Sequence, residues 1–145
     1  DTKSEPIIHP ANENPQTHLK LKAYRLYAKT PLGKTTIHVL DLNNRIKLVP
    51  IRAALGFKLI DELEKLVEDI EENTSWSTKK INRIERTLNN LMQEAIPSSE
   101  YSATLATDLL TSDSYTTIKG FLQKQNLWNE DFQQLEKQAL SCQLI

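Results

Sequence analysis

The sequence predicts an α+β protein, with an N-terminal three-stranded antiparallel β-meander followed by about five α-helices, the C-terminal ones forming a small helical bundle. Three observations predict this architecture. Between residues 19 and 49, apolar residues alternate with polar ones or lie in β-branched runs. After Pro50 they recur every three or four residues instead. Finally, a chain of 145 residues, 39% of them hydrophobic, is large enough to build a core without disulfides, and it has a single cysteine.

The three strands are predicted at about 19–29, 35–42 and 45–49. The first begins as LKLK, which alternates apolar and basic residues, and the second, TTIHVLDL, is rich in β-branched residues. Thr30–Lys34 and Asn43–Asn44 are the expected turns, because Pro, Gly and Asn are typical turn residues. Each strand is therefore expected to pair with the next one along the chain.

The first two predicted helices cover about 57–72 and 76–96, after a short helical turn at 50–55 that Gly56 closes. The second is the most regular element of the sequence, and Pro97 ends it. Its apolar stripe is Ile81, Ile84, Leu88, Leu91 and Ala95.

Three shorter helices are predicted to follow. Their expected N-cap residues are Ser98 or Ser99, then Ser112 or Asp113, and finally Asn129. The last helix has Glu130 and Asp131 in its first turn, where the helix dipole favours acids. Its apolar stripe is Phe132, Leu135, Ala139 and Cys142.

The predicted organisation has three parts: an extended or disordered leader at 1–18, a β-meander with an acidic helix at 19–75, and a helical bundle at 76–145. The second and third parts are expected to pack as one domain. The single Cys142 favours a reducing compartment such as the cytoplasm. No apolar run is long enough for a membrane span, and no signal peptide is present. Because the chain starts at Asp1 rather than Met, a processed or translocated protein is the alternative.

Charge is strongly segregated although the net charge is only −1. Residues 16–60 contain nine lysines and arginines against the single acid Asp41, and residues 61–75 contain seven acids against Lys65. Three interpretations remain open: the basic sheet is balanced internally by the acidic helix, it docks an acidic protein, or it binds nucleic acid or anionic lipid.

The stretch AKTPLGKT at 28–35 ends like a phosphate-binding P-loop. A working P-loop opens into a long helix, whereas the residues that follow here are β-branched and favour a strand. Pro31 and Gly33 suit the second and fourth positions of a β-turn. The sequence therefore predicts a hairpin at this point rather than an ATP site.

No catalytic or metal-binding constellation stands out. His9, His18 and His38 lack the spacing of a structural metal site, and Cys142 continues a buried helical stripe. The paired carboxylates in DELEKLVEDIEEN are typical of a solvated helix face. Residues 119–140 resemble a helical hairpin, which Trp128 is expected to anchor, rather than a DNA-reading pair, because its second helix is acidic.

The functional prediction is a non-enzymatic interaction or regulatory module that docks a protein partner, with no cofactor and no metal. Helix 76–96 also offers a face for self-association. The alternatives are a nucleic-acid or anionic-lipid binder and an enzyme whose site is assembled from scattered residues. The candidate partner- or polyanion-binding residues are Lys20, Lys22, Arg25, Lys29, Lys34, Arg45 and Lys47.

Overall fold

The computed structural model describes residues 6–9, 12–44, 46–73 and 75–145. Over these residues the α+β protein is mostly helical, with seven helices and one two-stranded antiparallel sheet. The elements are α1 (Pro15–His18), β1 (Leu19–Lys22), β2 (Arg25–Ala28), α2 (Pro31–Val39), α3 (Leu48–Glu72), α4 (Thr78–Gln93), α5 (Ser102–Thr111), α6 (Asp113–Lys124) and α7 (Glu130–Cys142).

The chain forms two compact units. The first runs to Leu55 and includes Leu144 and Ile145, and the second comprises Gly56–Gln143. The boundaries at residues 18 and 75 that the sequence suggests remain predictions. None of the helices in the described part of the chain is both long enough and apolar enough to cross a bilayer.

The predicted meander is wrong. The first predicted strand, at 19–29, is instead the hairpin of β1 and β2, with its turn at Ala23 and Tyr24. The predicted turn at Thr30–Lys34 and the second predicted strand, at 35–42, are also wrong. Residues 31–39 form α2, because Thr30 caps the helix with its side chain and Pro31 occupies the first helical position. The hydroxyl of Thr36 donates to the carbonyl of Leu32, which accommodates this β-branched residue within the helix. A cap and tertiary contacts thus outweigh the β propensity of TTIHVLDL.

The helix after Pro50 starts earlier than the sequence predicts. Residues 57–72 are helical and the helix ends at residue 72, as predicted, but they are the second part of the single helix α3, which begins at Leu48. The expected strand at 45–49 is therefore wrong from Leu48 onward, and no separate helical turn is present at 50–55. Pro50 lies in its first turn, where no intrahelical donor is lost, and Gly56 is tolerated within it.

Residues 15–18, within the predicted leader, form the short helix α1, which Asn14 caps. Ile8 is buried, and its backbone N–H donates to the Thr36 hydroxyl oxygen at 2.8 Å. This contact ties the described start of the chain to α2.

In the second unit the sequence predicts most helix starts. Ser112 caps α6 and Asn129 caps α7, as expected, whereas α5 starts at Ser102 after a left-handed Tyr101 instead of a Ser98 or Ser99 cap. Ser77 caps α4, which ends at Gln93, three residues before the expected end. The largest fully buried side chains among the described residues lie here: Leu63, Leu88, Met92, Leu109, Ile118, Leu122 and Phe132.

A polar cluster joins α6 to α7. The buried Tyr115 hydroxyl donates to the Glu136 carboxylate at 2.8 Å, and Lys119 Nζ lies 2.9 Å from the same carboxylate. Trp128 stacks on Phe132, with 5.0 Å between the ring centroids, and meets Tyr115 edge-on at 6.3 Å. Trp128 thus anchors the two helices together, which confirms the prediction for this residue.

Tyr115 gives the second unit a specific alkaline sensitivity. Burial, and then the hydrogen bond to Glu136, raise the pKa of the phenol above its usual value of about 10. The native state therefore holds this proton more tightly than the unfolded state, so the contribution of Tyr115 to stability is constant below about pH 10 and falls above it. The expected loss approaches about 1.4 kcal/mol per pH unit.

Replacing Tyr115 with Phe is expected to cost about 1.5 kcal/mol at pH 7, because a hydrogen bond to a charged group is lost. It is also expected to remove the extra loss of stability between pH 10 and 11. Urea unfolding at pH 7, 10 and 11 measures both effects, and Tyr27→Phe, at an exposed position, is the matched control. An unchanged alkaline slope in Tyr115→Phe would contradict this assignment.

Candidate interaction surface

The hairpin formed by β1 and β2 has one apolar face and one basic face. Its register pairs Lys20 with Tyr27 and Lys22 with Arg25, and the intervening pair is Leu21 with Leu26. Side chains alternate along a strand, so the residues of the first two pairs share one face of the sheet and Leu21 and Leu26 lie on the other. We call Lys20, Lys22, Arg25 and Tyr27 the basic hairpin face.

The basic hairpin face is accessible. Lys20, Lys22 and Tyr27 are exposed, Tyr27 to 41%, and Arg25 is half-buried. Within the described part of the chain, none of the three cations forms an ion pair. Internal charge balance between the basic segment and the acidic residues of α3 remains a prediction.

The other predicted site residues lie elsewhere. Lys29 follows β2 and donates from Nζ to the carbonyl of Gln16 at 2.9 Å. Lys34 is exposed on α2, and Lys47 is exposed just before α3. Arg45 lies outside the described residues. The structure therefore gathers three of the seven predicted residues on one surface.

Arg52 is hydrogen-bonded to the turn of the hairpin. Its side chain, only 7% exposed, donates from Nη1 to the Tyr24 carbonyl at 3.2 Å and from Nη2 to the Leu42 carbonyl at 2.6 Å. A guanidinium suits this position because it offers several donors in a fixed plane. The hairpin turn and the segment after α2 are thereby fixed to the start of α3.

Both edges of the hairpin are occupied. The Asn43 side chain mimics a third strand along β2, since its Oδ1 accepts from the Leu26 N–H and its Nδ2 donates to the Leu26 carbonyl, both at 2.8 Å. Along β1, the Leu21 N–H donates to the Leu144 carbonyl at 2.9 Å. These contacts fix the backbone that carries the basic hairpin face.

The turn itself is strained. Ala23 and Tyr24 both have positive φ, 48° and 65°, as a two-residue turn between right-twisted strands requires. A left-handed conformation costs roughly 1–2 kcal/mol for a residue with a side chain. Such strain persists only where surrounding contacts enforce it, and Arg52 supplies one of them.

A histidine connects α1 to the start of α2. His18 Nε2 lies 3.0 Å from the Glu13 carboxylate, and Nδ1 lies 2.6 Å from the Thr30 hydroxyl oxygen. That oxygen also accepts from the Gly33 N–H at 3.1 Å. The order carboxylate, imidazole, hydroxyl resembles an acid–base relay, but the hydroxyl is already used as a helix cap. We interpret the group as a support for α2.

The AKTPLGKT segment differs from a P-loop in its contacts. A helix does follow it, contrary to the sequence prediction, but the preceding β2 belongs to an antiparallel hairpin. The amides of Gly33 and Lys34 donate to the Thr30 hydroxyl and carbonyl oxygens. In a P-loop such amides contact phosphate, so this helix start lacks the arrangement that the motif requires.

The three histidines do not form a metal site in the described residues, which contain no cluster of three or more His, Cys, Asp or Glu side chains able to hold an ion. His9 and His38 are exposed, and His38 lies on α2 rather than in a strand. Cys142 is half-buried at the end of α7, with its sulfur 3.9 Å from the Ser141 hydroxyl.

Arg52 and Asn43 are the functional supports that sequence reasoning missed. Arg52 is the one charged residue in the apolar run LVPIRAALGF, a pattern that could have indicated a buried guanidinium. Asn43 carried no such signal, because Asn in a loop is ordinary turn chemistry.

Comparisons with known proteins give one informative match. No protein-family model matches the chain, and no solved structure matches it significantly. Over 143 residues, 96% of its length, the chain is 38% identical to the Septu protein PtuB of Bacillus thuringiensis. The chain spans 55% of the length of that protein. The chain is thus similar along nearly its whole length to about half of a Septu protein PtuB.

Proposed function

We propose that this chain is a non-enzymatic docking module whose basic hairpin face binds an acidic surface of a protein partner. The observation that carries the proposal is a set of three cations beside Tyr27 on one rigid sheet face. Arg and Tyr are enriched at protein interfaces, and a prearranged backbone lowers the entropy lost on binding.

The similarity to a Septu protein PtuB supports a biological setting for this module. We propose that the chain acts in a Septu-type bacterial anti-phage defence system, as one component of an assembly of several proteins. The partner is then another component of the same system, and it presents an acidic patch to the hairpin.

Co-expression with the proteins encoded beside it is expected to yield a complex that purifies at about 50 mM salt and weakens at about 200 mM, since salt screens exposed charge pairs. Replacing Lys20 and Lys22 with Glu is expected to cost about 2 kcal/mol or more in binding, about 30-fold, because like charges then face each other.

The matched control changes the same amount of charge in the second unit, where Lys124 and Lys137 are exposed. Lys124→Glu with Lys137→Glu is expected to leave the complex intact. The proposal fails if both double variants bind equally well, or if no encoded neighbour is retained by the unmodified chain.

A second candidate function uses the same surface for a polyanion. It is favoured by Tyr27, which lies directly across from Lys20, because an aromatic ring beside cations suits nucleic-acid bases and phosphates. Binding of mixed-sequence DNA, RNA and anionic vesicles at about 50 and 200 mM salt tests it. A strong fall with salt that Lys20→Glu with Lys22→Glu abolishes would favour this candidate over the protein partner.

A further inference from the structure

The outer face of α4 has an unusual composition. Apart from Thr78 at the first position, every exposed residue of this helix is Lys, Arg, Asn or Gln. The opposite face is strongly apolar and buries Ile84, Leu88, Leu91 and Met92. The exposed residues after Thr78 are Lys79, Lys80, Asn82, Arg83, Arg86, Asn90 and Gln93.

Among the described residues, most of these cations have no acidic partner. Lys80 is held locally, because its Nζ donates to Asn73 Oδ1 and to the Ser75 carbonyl, both at 3.2 Å. Lys79, Arg83 and Arg86 form no ion pair within the described residues. They are spaced by four and three residues, so their side chains follow one line along the helix. Such a line of cations suits the regularly spaced phosphates of a nucleic-acid backbone.

Two clefts lie beside this line. The first has a volume of about 230 Å³ and the second about 330 Å³. Asp69, Asn73, Trp76, Lys80, Arg83 and Ile84 line the first cleft. Asn82, Glu85, Arg86 and Asn89 line the second. Each cleft therefore combines an arginine with an amide and a carboxylate.

Trp76 gives the first cleft an aromatic wall. Its ring packs against Phe121, with 4.8 Å between the centroids, and this contact fixes its position. A base that leaves its stack gains about 1–3 kcal/mol by stacking on such a ring. The carboxylates of Asp69 and Glu85 are acceptors for the amino groups of bases, and Asn side chains offer both a donor and an acceptor.

We propose that this face of α4, together with Trp76, binds single-stranded nucleic acid. The cations contact successive phosphates, and the first cleft, beside Trp76, receives an unstacked base. A duplex keeps its bases stacked and paired, so it offers phosphates to Arg83 and Arg86 but no base to Trp76. The site belongs to the second unit, whereas the basic hairpin face belongs to the first.

Fluorescence anisotropy of a dye-labelled, mixed-sequence single strand of about twelve nucleotides tests the proposal at about 50 to 200 mM salt, with the matching duplex in parallel. Replacing Arg83 and Arg86 with Ala is expected to reduce the slope of log affinity against log salt by about 1.4, because two phosphate contacts are lost. Trp76→Leu is expected to weaken binding about tenfold with an unchanged slope.

Lys124→Ala with Lys137→Ala is the control, since it removes two exposed cations of the same unit. Arg83 and Arg86 are exposed, so replacing them leaves the core intact. The arginine variant therefore remains informative even if Trp76→Leu is unstable. Equal binding of single strand and duplex overturns the proposal, as does an absence of binding at about 50 mM salt. It is also overturned if Lys20→Glu with Lys22→Glu abolishes binding while the arginine variant retains it.

Discussion

Replacing Arg52 with Met is expected to lower the free energy of unfolding of the first unit by about 3 kcal/mol. A Met side chain has a similar length but no hydrogen-bond donor. The Tyr24 and Leu42 carbonyls therefore lose the hydrogen bonds that the guanidinium donates to them. Both residues are half-buried, and each hydrogen bond lost there is expected to cost about 1–2 kcal/mol. Urea unfolding, together with hydrogen exchange of the hairpin amides, measures the loss.

The same change at Arg25 is the matched control. Arg25 lies on the basic hairpin face and is half-buried, with no ion pair in the described chain, so Arg25→Met is expected to shift stability by about 0.5 kcal/mol or less. Ala23→Gly in the Arg52→Met background is expected to recover part of the loss, because glycine adopts a positive φ without strain. Equal stabilities of the two Met variants would contradict the anchoring role.

Gly33→Ala is expected to destabilise the first unit by about 2–3 kcal/mol, although alanine is the better helix former by about 1 kcal/mol. A Cβ at this position would overlap with the backbone carbonyl of His18. Backbone atoms cannot rotate away as a flexible side chain does, so α1 and α2 would have to separate. Chemical unfolding compares the variant with the unmodified chain.

Gly120 provides the opposite case on α6. A Cβ there meets no atom within 4 Å, so Gly120→Ala is expected to stabilise the second unit by up to about 1 kcal/mol. The two substitutions are chemically identical and differ only in their surroundings. If Gly33→Ala also stabilised the protein, the close approach of α2 to His18 would be refuted.

Local signals were sufficient for the helices near the C-terminus. Ser112 and Asn129 accept hydrogen bonds from the first turns of α6 and α7, and the apolar spacing of Phe132, Leu135 and Ala139 matches their burial. Cap chemistry and helical periodicity are encoded within a few residues, so sequence alone predicts them. Cys142 at the end of the same stripe is only half-buried, because the helix ends there.

The N-terminal part could not be predicted in the same way. TTIHVLDL has β-branched residues typical of a strand, but the close contact of Gly33 with His18 and the bond from Ile8 to Thr36 stabilise a helix there. These contacts join residues 15 and 28 positions apart, and no local pattern reveals them. The basic alternation in LKLK was informative, since Lys20 and Lys22 do share one face with Arg25.

The occupied edges of the hairpin limit how a partner can recognise it. Strand addition, in which a peptide extends a sheet through main-chain hydrogen bonds, would require displacement of the Asn43 amide from Leu26 or of the Leu144 carbonyl from Leu21. Main-chain pairing tolerates many sequences, whereas side-chain contacts discriminate by charge and shape. A module closed to strand addition is also shielded from the edge-to-edge pairing that begins aggregation. If the proposed docking function holds, selection of partners acts on the charges of the basic hairpin face, and a few substitutions there are expected to change its specificity.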